Sequence, residues 1–438
     1  MVGQVVEVTY RGGQVGAASF DAGTGLGAFE YAPPFIDGGI ELSPIVMPLA
    51  RRIYSFPALG RETFDGLPGL LADSLPDDFG NSILKEWAAR QGRAANELSP
   101  LEKLQYIGKR GVGALEFRPA TRLKGLNASQ QLQLDQLVAT AQQVLDQRAG
   151  FAVELRRGGQ EDREAMMALL SIGTSAGGAR PKAVVAFNGD FTEVRSGQVD
   201  APEGFSHYLL KFDGVSEHRT DRESFGDPLG YGAMEYVYHL MATASGINMM
   251  PCALLPEGNR RHFVTRRFDR GGNRKIHAQT LCGLAHVDYK KPGSHSYAEL
   301  FGIARRLGLP APAAEQLFRR MVFNIVARNH DDHAKNFSFL LQGGNWKLAP
   351  AYDLVYSFKP GNKWINSHWM SMNGKRDDFT RGDFHAMEKL SPLFTRAKIN
   401  RILDEIIAQV SQWRRLAIEH DVPAALIDTV ESNLRLDL

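Results

Sequence analysis

The segment from residue 329 to residue 336 constrains this chain more than any other stretch of its sequence. It reads Asn-His-Asp-Asp-His-Ala-Lys-Asn and lies between two apolar runs, residues 321–326 and residues 337–341. A helix that leads into a polar loop, followed by a strand, is the simplest interpretation of this alternation. Loops held between rigid elements are also where catalytic side chains tend to lie. The sequence therefore predicts a functional loop at this point.

The spacing within the 329–336 loop favours phosphoryl transfer. Asp331 and Asn336 are five residues apart, the interval at which kinase catalytic loops place a proton-accepting aspartate and a magnesium-binding asparagine. Asp353 follows in the apolar run Ala351–Val355 and would add a second oxygen ligand for Mg²⁺. Two alternatives stay open on this loop alone. One is a transition-metal hydrolase site made of its two histidines and two aspartates, and the other is a charged, solvent-exposed turn.

Length and composition limit the number of domains, the binding partners and the cellular location to be expected. A chain of 438 residues exceeds one typical core, so two or three domains are expected. The 51 Lys and Arg against 49 Asp and Glu give a net charge of +2, which does not support direct nucleic-acid binding through a strongly basic surface. Cys252 and Cys282 show no metal-ligand spacing and indicate reduced thiols. No apolar run approaches the roughly 18 residues of a membrane helix, and the N-terminus lacks a signal-peptide pattern, so we expect a cytoplasmic protein without membrane association.

The N-terminal part, up to about residue 125, predicts an α+β module. Besides a strand pattern at Ala114–Arg118, it contains three strand patterns, a glycine turn and one helix start. These are Val5–Tyr10, a turn at Gly12–Gly13, Val15–Phe20, Ala28–Tyr31, and the capping box Ser99–Glu102 with Pro100 at the first helical position. We expect this module to pack and to bind partners, since no cluster of chemically reactive residues is visible in it.

The middle of the chain predicts a glycine-rich loop followed by a lysine-bearing strand and a glutamate-bearing helix. The predicted elements, in order, are a helix over 128–148, a helix over 161–170, the glycine loop 171–182, strands at 184–187 and 191–195, a strand 207–212 ending near Lys211, a helix 230–244 carrying Glu235, and a strand 261–268 leading to a hinge. Ala179 stands where a P-loop requires lysine, so that motif is excluded. A lysine on a strand followed by a glutamate on the next helix is the ion pair that positions ATP phosphates in kinases.

Further along, helices are expected over 296–307, 313–328 and 396–420, which makes the C-terminal part mainly helical. Each signal is weak alone. Their order, from glycine loop through lysine and glutamate to Asp331, Asn336 and Asp353, is a strong pattern.

At these residues the chain resembles the HipA family of serine/threonine kinases, the toxin components of bacterial toxin–antitoxin modules. The most specific matching stretches are Ser-Ala-Gly-Gly-Ala-Arg-Pro-Lys at 175–182, Arg-Phe-Asp-Arg at 267–270, Asp-Asp-His-Ala-Lys-Asn-Phe-Ser at 331–338 and Tyr-Asp-Leu at 352–354. The resemblance implies an α+β, two-lobed protein-kinase-like fold, with a β-rich N-lobe, a mainly helical C-lobe and an extra N-terminal α+β subdomain. The implied bounds are 1–125 for the subdomain, 126–270 for the N-lobe and 271–438 for the C-lobe.

The resemblance also implies roles by position. Asp331 matches the catalytic base, Asn336 and Asp353 the magnesium ligands, and Lys211 the phosphate-binding lysine with Glu235 as its partner. Ser175 takes the position of the serine that family members autophosphorylate. The positions matched to ATP contacts are Ser175, Ala176, Gly177, Gly178, Lys182, Lys211, Glu235, Arg266, Arg267, Phe268, His333 and Lys335. The family often has glutamate where Arg266 stands, so a side-chain contact to adenine would be lost there while backbone contacts would remain.

The implied function is transfer of phosphate from ATP, with Mg²⁺, to a protein such as an aminoacyl-tRNA synthetase or another translation component. The implied partners are a HipB-like helix-turn-helix antitoxin, which would carry the main DNA contact, and a second copy of the chain in the toxin–antitoxin complex. Two alternatives remain. A small-molecule kinase would share the loop but should not need the N-terminal module. A catalytically silent interaction protein would be expected to lack at least one of Lys211, Asp331, Asn336 and Asp353, and all four are present.

Overall fold

The computed structural model describes residues 5–77, 80–81, 83–84, 88, 98–120, 132–146, 180–216 and 226–438. The chain packs into two compact units. The first comprises Met1–Leu42, Leu49–Gly232 and Ala253–Ala278, and the second comprises Ser43–Pro48, Ala233–Cys252 and Gln279–Leu438. Across the described residues, none of the helices combines the length and the apolar character needed to cross a bilayer. The division into three domains stays a prediction.

Two segments singled out in the sequence lie outside the described residues. They are the predicted helix 161–170 and the glycine loop up to residue 179, which includes Ser175, Ala176, Gly177 and Gly178.

The first unit is built on antiparallel sheets. Its strands are β1 Val5–Tyr10, β2 Gly13–Asp21, β3 Leu26–Tyr31, β4 Ile53–Tyr54, β5 Leu115–Arg118, β6 Lys182–Phe187, β7 Val194–Ser196, β8 Ser206–Lys211, β9 Val215–Ser216, β10 Gly226–Asp227, β11 Cys252–Glu257, β12 Arg260–Arg266, β13 Arg270–Gly271 and β14 Arg274–Lys275. Its helices are α1 Pro33–Asp37, α2 Arg61–Phe64, α3 Gly69–Ala72, α4 Pro100–Ile107 and α5 Leu134–Asp146. One five-stranded sheet has the order β4-β3-β2-β1-β5, and a second has the order β11-β12-β8-β6-β7.

The N-terminal meander forms as predicted, with one correction at its first turn. The turn is made by Arg11 and Gly12, both at positive φ, and Gly13 is already the first residue of β2. Positive φ at both central residues suits the right-handed twist of a two-residue hairpin. The capping box at Ser99 is confirmed, because the Ser99 hydroxyl accepts from the Glu102 N–H and α4 begins at Pro100.

The second sheet sets the register of the two lysines. Lys182 pairs directly with Lys211 across β6 and β8, and Lys211 pairs with Phe263 on β12. Two predicted elements start later than expected. The strand predicted at 191–195 begins at Val194, because Phe191 turns at a φ of 60°. The helix predicted from residue 128 begins at Leu134 within its described part.

The second unit is mainly helical. Its helices are α6 Tyr231–Ala244, which begins at the boundary between the units, α7 Leu281–Ala285, α8 Tyr297–Arg306, α9 Ala311–Val326, α10 Arg381–His385, α11 Arg396–Val410, α12 Trp413–Glu419 and α13 Ala424–Glu431. It also has 3₁₀ turns at Ala334–Asn336 and Ala386–Lys389. Strand β15, His277–Thr280, crosses the sequence boundary between the two units. Strands β16, Ser338–Gln342, and β17, Asn345–Leu348, form a hairpin.

The single helix expected over 396–420 is wrong. α11 ends at Val410 and α12 starts at Trp413. The break lets the Trp413 indole N–H donate to the carbonyl of Ile427, while its ring packs edge-on against Tyr238. Tertiary packing of this large aromatic side chain therefore overrides the continuous helical periodicity.

Candidate active site

The 329–336 loop joins α9 to β16, so the predicted order of helix, loop and strand is confirmed. The last residues of α9 are buried and fix where the chain leaves the helix. Arg328 then takes a left-handed conformation with a φ of 55°, and the N–H of Asn329 bonds back to the carbonyl of Asn324 at 2.8 Å. Such strained non-glycine backbone persists where the surroundings determine it strongly. The loop thus leaves a rigid helix at a fixed angle.

Asp332 is the interior anchor of this loop. Its side chain is fully buried and accepts four hydrogen bonds. They come from the Tyr297 hydroxyl at 2.6 Å, His368 Nδ1 at 2.9 Å, the Trp369 N–H at 2.7 Å and the Met370 N–H at 3.4 Å. A buried carboxylate that receives this many donors is stabilised in place. Asp332 therefore fixes the loop and leaves little acceptor capacity for a substrate.

Asp331 has the opposite environment. Its side chain is 40% exposed, and its Oδ1 lies 3.7 Å from Nε2 of His333. The side-chain amide of Asn336 donates to the Asp331 main-chain carbonyl at 2.8 Å. The backbone of Asp331 is thus held by its own loop while its carboxylate faces solvent. An accessible carboxylate on a fixed backbone suits proton transfer.

The same hydrogen bond orients Asn336. Because Nδ2 is engaged with the Asp331 carbonyl, the remaining polar atom of the amide is the oxygen Oδ1, an acceptor. Mg²⁺ prefers oxygen ligands and keeps several of its waters, so one amide oxygen with one carboxylate is a sufficient protein contribution. Asn336 together with Asp353 fits this cation by donor chemistry.

Asp353 lies on a segment that is tied directly to the loop. Its backbone is left-handed, with a φ of 57°. The adjacent Tyr352 hydroxyl donates to the Lys335 carbonyl at 2.5 Å and lies 2.5 Å from the Ser338 hydroxyl. The neighbour of Asp353 is therefore bonded to residues on both sides of Asn336, which keeps the two oxygen-bearing segments in register.

A buried polar chain also connects these segments. Asn329 Nδ2 donates to Asn324 Oδ1 at 2.9 Å and approaches the Asp353 carbonyl at 3.5 Å. Asn324 Nδ2 donates to the Tyr297 hydroxyl at 3.1 Å, and that hydroxyl donates to Asp332. Burial first, and then the Asp332 charge, raise the pKa of Tyr297 well above its usual value. The Tyr297 hydroxyl therefore stays protonated and links Asn324 to Asp332 by hydrogen bonds.

The histidines do not form a metal centre. His330 is fully buried, with its ring 4.1 Å from that of His368. Burial, followed by the nearby His368 and Arg328, lowers the pKa of His330 to about 2, so it is neutral. In the part of the chain that the structure describes, no three His, Cys, Asp or Glu side chains are arranged to hold a metal ion. The hydrolase alternative therefore has no support there.

His333 and Lys335, matched to ATP contacts by resemblance, flank one aromatic ring. The His333 ring packs edge-on to Tyr289 at 5.3 Å and to Trp369 at 5.7 Å. The Lys335 ammonium lies 4.5 Å from the centre of the Tyr289 ring, a cation–π distance. Tyr289 therefore orients both side chains, a role that the sequence did not suggest.

The lysines matched to ATP contacts on the second sheet, Lys182 and Lys211, lie in the first unit. Lys182 and Lys211 are both 5% exposed and stand opposite each other on β6 and β8. The Lys182 ammonium forms an ion pair with Asp77 at 3.5 Å, and the Lys211 ammonium lies 5.9 Å from the Phe263 ring centre. Buried lysines require compensating anions or polar partners, and Asp77 supplies one such anion to Lys182.

The predicted hinge, Arg266 to Phe268, adjoins a second buried aspartate. Arg266 is exposed, whereas the Arg267 guanidinium binds Asp269 through two bonds of 2.8 and 2.7 Å. Arg270 at 2.7 Å and the Gly113 N–H at 2.8 Å complete the contacts of Asp269. Burial alone would raise the pKa of Asp269, but the two guanidiniums outweigh it and hold the pKa far below its usual range. The Arg267 side chain therefore stabilises the predicted hinge segment through Asp269.

The structure brings Asp331, His333, Lys335, Asn336 and Asp353 together in the second unit. Glu235, 4% exposed, belongs to α6 of the same unit. Lys211 belongs to the first unit, so its pairing with Glu235 stays a prediction. The sequence named Tyr352 only as part of the matching stretch 352–354, and it did not single out the other supporting residues, which are Asp77, Tyr289, Tyr297, Asn324 and His368.

Two family profiles and several known proteins match this chain. The profile of the HipA-like C-terminal domain matches residues 174–414, and that of the HipA N-terminal domain matches residues 6–118. The serine/threonine-protein kinase toxin HipA of Shewanella oneidensis is 20% identical over 362 residues, which cover 78% of this chain and 72% of that protein. A Sinorhizobium fredii protein that bears the name kinase is 31% identical over 125 residues, or 26% of this chain, and the match spans 30% of that protein's length.

Among solved structures, the Shewanella oneidensis complex of HipA, HipB and operator DNA matches with a TM-score of 0.66. Sequence identity is 18%, and the match covers 98% of this chain and 95% of that one. At this identity the likeness establishes the fold. The expected α+β, protein-kinase-like fold is confirmed, including its N-terminal part.

Proposed function

Since this chain belongs to the HipA family, we propose that it is a kinase that transfers the γ-phosphoryl group of ATP to a serine or threonine hydroxyl of a protein. The observation that carries the proposal is the contrast between two adjacent carboxylates. Asp332 is buried and receives four hydrogen bonds, while Asp331 is 40% exposed on the same loop. A kinase loop needs one aspartate free to take a proton and a scaffold that keeps it there.

In this mechanism Asp331 accepts the proton of the attacking hydroxyl. The hydroxyl oxygen bonds to the γ-phosphorus as the bond to the bridging oxygen of ADP breaks, so the proton passes to Asp331 and ADP leaves with the electron pair. Asn336 Oδ1 and the Asp353 carboxylate would hold Mg²⁺, which neutralises phosphate charge when bound. The Tyr352 bonds to Lys335 and Ser338 support this assignment, because they tie the segment of Asp353 to that of Asn336.

The phosphates would be bound by Lys182 and Lys211, with Glu235 as the predicted partner of Lys211. The burial of both lysines and their direct cross-strand pairing support this role. Backbone groups of residues 266–268 would contact adenine, and His333 and Lys335 would contact the nucleotide from the loop. Electrostatic stabilisation and positioning carry most of the catalysis in such sites.

A protein acceptor is favoured over a small molecule by the N-terminal module. The match to the HipA–HipB–DNA complex covers 98% of this chain, which includes that module, and a small-molecule kinase should not need it. By the same relation we propose a helix-turn-helix antitoxin as partner, with DNA contacted mainly through it and a second copy of the chain in the complex. An aminoacyl-tRNA synthetase or another translation component is the proposed target, and Ser175 the proposed autophosphorylation site.

The test is a transfer assay with γ-labelled ATP and Mg²⁺ on the purified chain. We expect nucleotide binding, label on the chain itself, and phosphate on the peptide that contains Ser175 by mass spectrometry. Label on another peptide of the chain would overturn the Ser175 assignment and leave the kinase standing. Absence of both nucleotide binding and phosphate transfer, including transfer to candidate synthetases, would overturn the proposed function.

A further inference from the structure

The ion pair between Asp77 and Lys182 joins the N-terminal module to the predicted phosphate site. Asp77 lies after α3, within the stretch that matches the HipA N-terminal domain, and Lys182 is the first residue of β6. Their charged atoms are 3.5 Å apart, with side-chain exposures of 4% for Asp77 and 5% for Lys182. Both partners are thus nearly excluded from solvent, where an ion pair is much less screened than at the surface.

A second lysine adds positive charge at this place. Lys211 is the direct cross-strand partner of Lys182 and is equally buried. Opposed residues in an antiparallel pair have their Cβ atoms about 5 Å apart on the same face of the sheet, and like charges so placed repel. The carboxylate of Asp77 offsets that repulsion and draws Lys182 toward one position.

Asp77 is itself held in a defined orientation. Its Oδ1 accepts from the Gly80 N–H at 2.6 Å, while the ion pair uses Oδ2. The carboxylate is therefore shared between a backbone turn and a lysine. It differs from a surface counter-ion such as Asp37, which lies 3.8 Å from Arg51 with both side chains about 70% exposed and contributes little energy.

We propose that Asp77 is a positioning residue of the nucleotide site, which holds the ammonium of Lys182 beside that of Lys211 so that both bind the same phosphate chain. This rests on the proposed function, since it requires that the two lysines bind ATP phosphates. It gives the N-terminal module a direct part in nucleotide binding. It also supplies Lys182 with a buried carboxylate, as the predicted Glu235 partner does for Lys211.

Asp77→Asn isolates the charge, because asparagine can still accept from the Gly80 N–H. We expect binding of a fluorescent ATP analogue with Mg²⁺ to weaken roughly tenfold, the lower end for residues that orient a binding group. KM for ATP should rise by a similar factor, with kcat changed less than threefold. Lys182→Met should weaken binding at least as much, and adding Asp77→Asn to it should cause no further loss, because residues that act through one contact are not additive. Asp37→Asn is the matched control and should bind ATP as the unmodified chain does.

Three results would overturn the inference while leaving the kinase intact. They are wild-type affinity in Asp77→Asn, tighter binding in Asp77→Asn, which would make the carboxylate a competitor of phosphate, and losses that multiply in the double variant. Thermal unfolding of each variant separates a folding defect from a binding defect. If Asp77→Asn does not fold, Asp77→Glu serves in its place, because it keeps the charge and displaces it. A raised KM with unchanged kcat then supports positioning, and an unchanged KM overturns it. Failure of the unmodified chain to bind ATP at all would instead count against the proposed function.

Discussion

The two units each contain a buried aspartate that gathers four hydrogen bonds, but the donors differ in kind. In the first unit Asp269 accepts three bonds from two guanidinium groups and one from a backbone N–H. In the second unit Asp332 accepts from a tyrosine hydroxyl, a histidine ring and two backbone N–H groups. Two guanidinium cations are among the donors to Asp269, whereas no lysine or arginine is among the four donors to Asp332. Asp269 links the predicted hinge segment to Gly113, and Asp332 links its loop to Tyr297 and to residues 368–370.

The position of each aspartate gives this difference a functional meaning. Asp269 bonds to Gly113, so the N-terminal module and the hinge segment share one charged cluster. Asp332 fixes the residue next to the predicted base and introduces no competing cation into the loop. Because Asp332 is buried and fully hydrogen-bonded, Asp331 is the aspartate of this loop that is exposed to take a proton. Guanidinium donors therefore surround the aspartate of the predicted hinge, while hydroxyl, imidazole and backbone donors surround the aspartate next to the predicted base.

The largest effect should come from Asp269→Asn. The substitution leaves Arg267 and Arg270 buried with no carboxylate, and breaking a buried pair in this way costs roughly 3–5 kcal/mol. Urea unfolding should show this loss. The matched control is Asp404→Asn, because Asp404 pairs with Arg381 at an exposed site and should leave the unfolding free energy almost unchanged. If Asp269→Asn loses no more unfolding free energy than the control, the distinction between the surroundings of Asp269 and those of Asp332 is removed.

Acidification should lower the free energy of unfolding through His330, which lies in the second unit. Its folded pKa is about 2, below the usual value near 6.5, so under pH 6.5 the unfolded chain binds a proton that the folded chain does not. Stability therefore falls as pH falls, by about 2 kcal/mol at pH 5 from this group. His330→Phe keeps a ring beside Phe358 and should reduce the difference in unfolding free energy between pH 7.5 and pH 5 by that amount. An unchanged difference would mean that His330 is accessible to protons in the folded state.

Tyr297→Phe should have the smallest effect. It removes one donor to Asp332 and the acceptor of Asn324, while three donors to Asp332 remain. We expect a loss of about 1 kcal/mol in unfolding free energy and a phosphate-transfer rate within a few-fold of the unmodified chain. A loss as large as that of Asp269→Asn would show that the hydrogen bonds around Asp332 contribute as much to stability as the ion pairs of Asp269.

Local pattern predicted the elements but not the partners that give each residue its role. The spacing of Asp331 and Asn336 identified the loop, and the capping box identified the start of α4. The sequence selected Asp331 by its spacing from Asn336 but could not show that Asp332 is a buried anchor, because that role depends on Tyr297 and His368, which are 35 and 36 positions from Asp332. For the same reason the sequence did not indicate a role for Asp77, whose partner Lys182 lies on a strand far away in the sequence. The single helix over 396–420 failed because packing of Trp413 overrode local periodicity.

The most direct test compares Asp331→Asn with Asp332→Asn in three assays: ATP binding, phosphate transfer and thermal unfolding. Asp331→Asn should bind Mg-ATP and unfold as the unmodified chain does, while transfer falls on the order of 10²- to 10⁴-fold because the proton acceptor is lost. Asp332→Asn should unfold at a lower temperature and lose transfer only together with its folded structure. Wild-type transfer in Asp331→Asn, or a stable, ATP-binding and inactive Asp332→Asn, would contradict the assignment of the base.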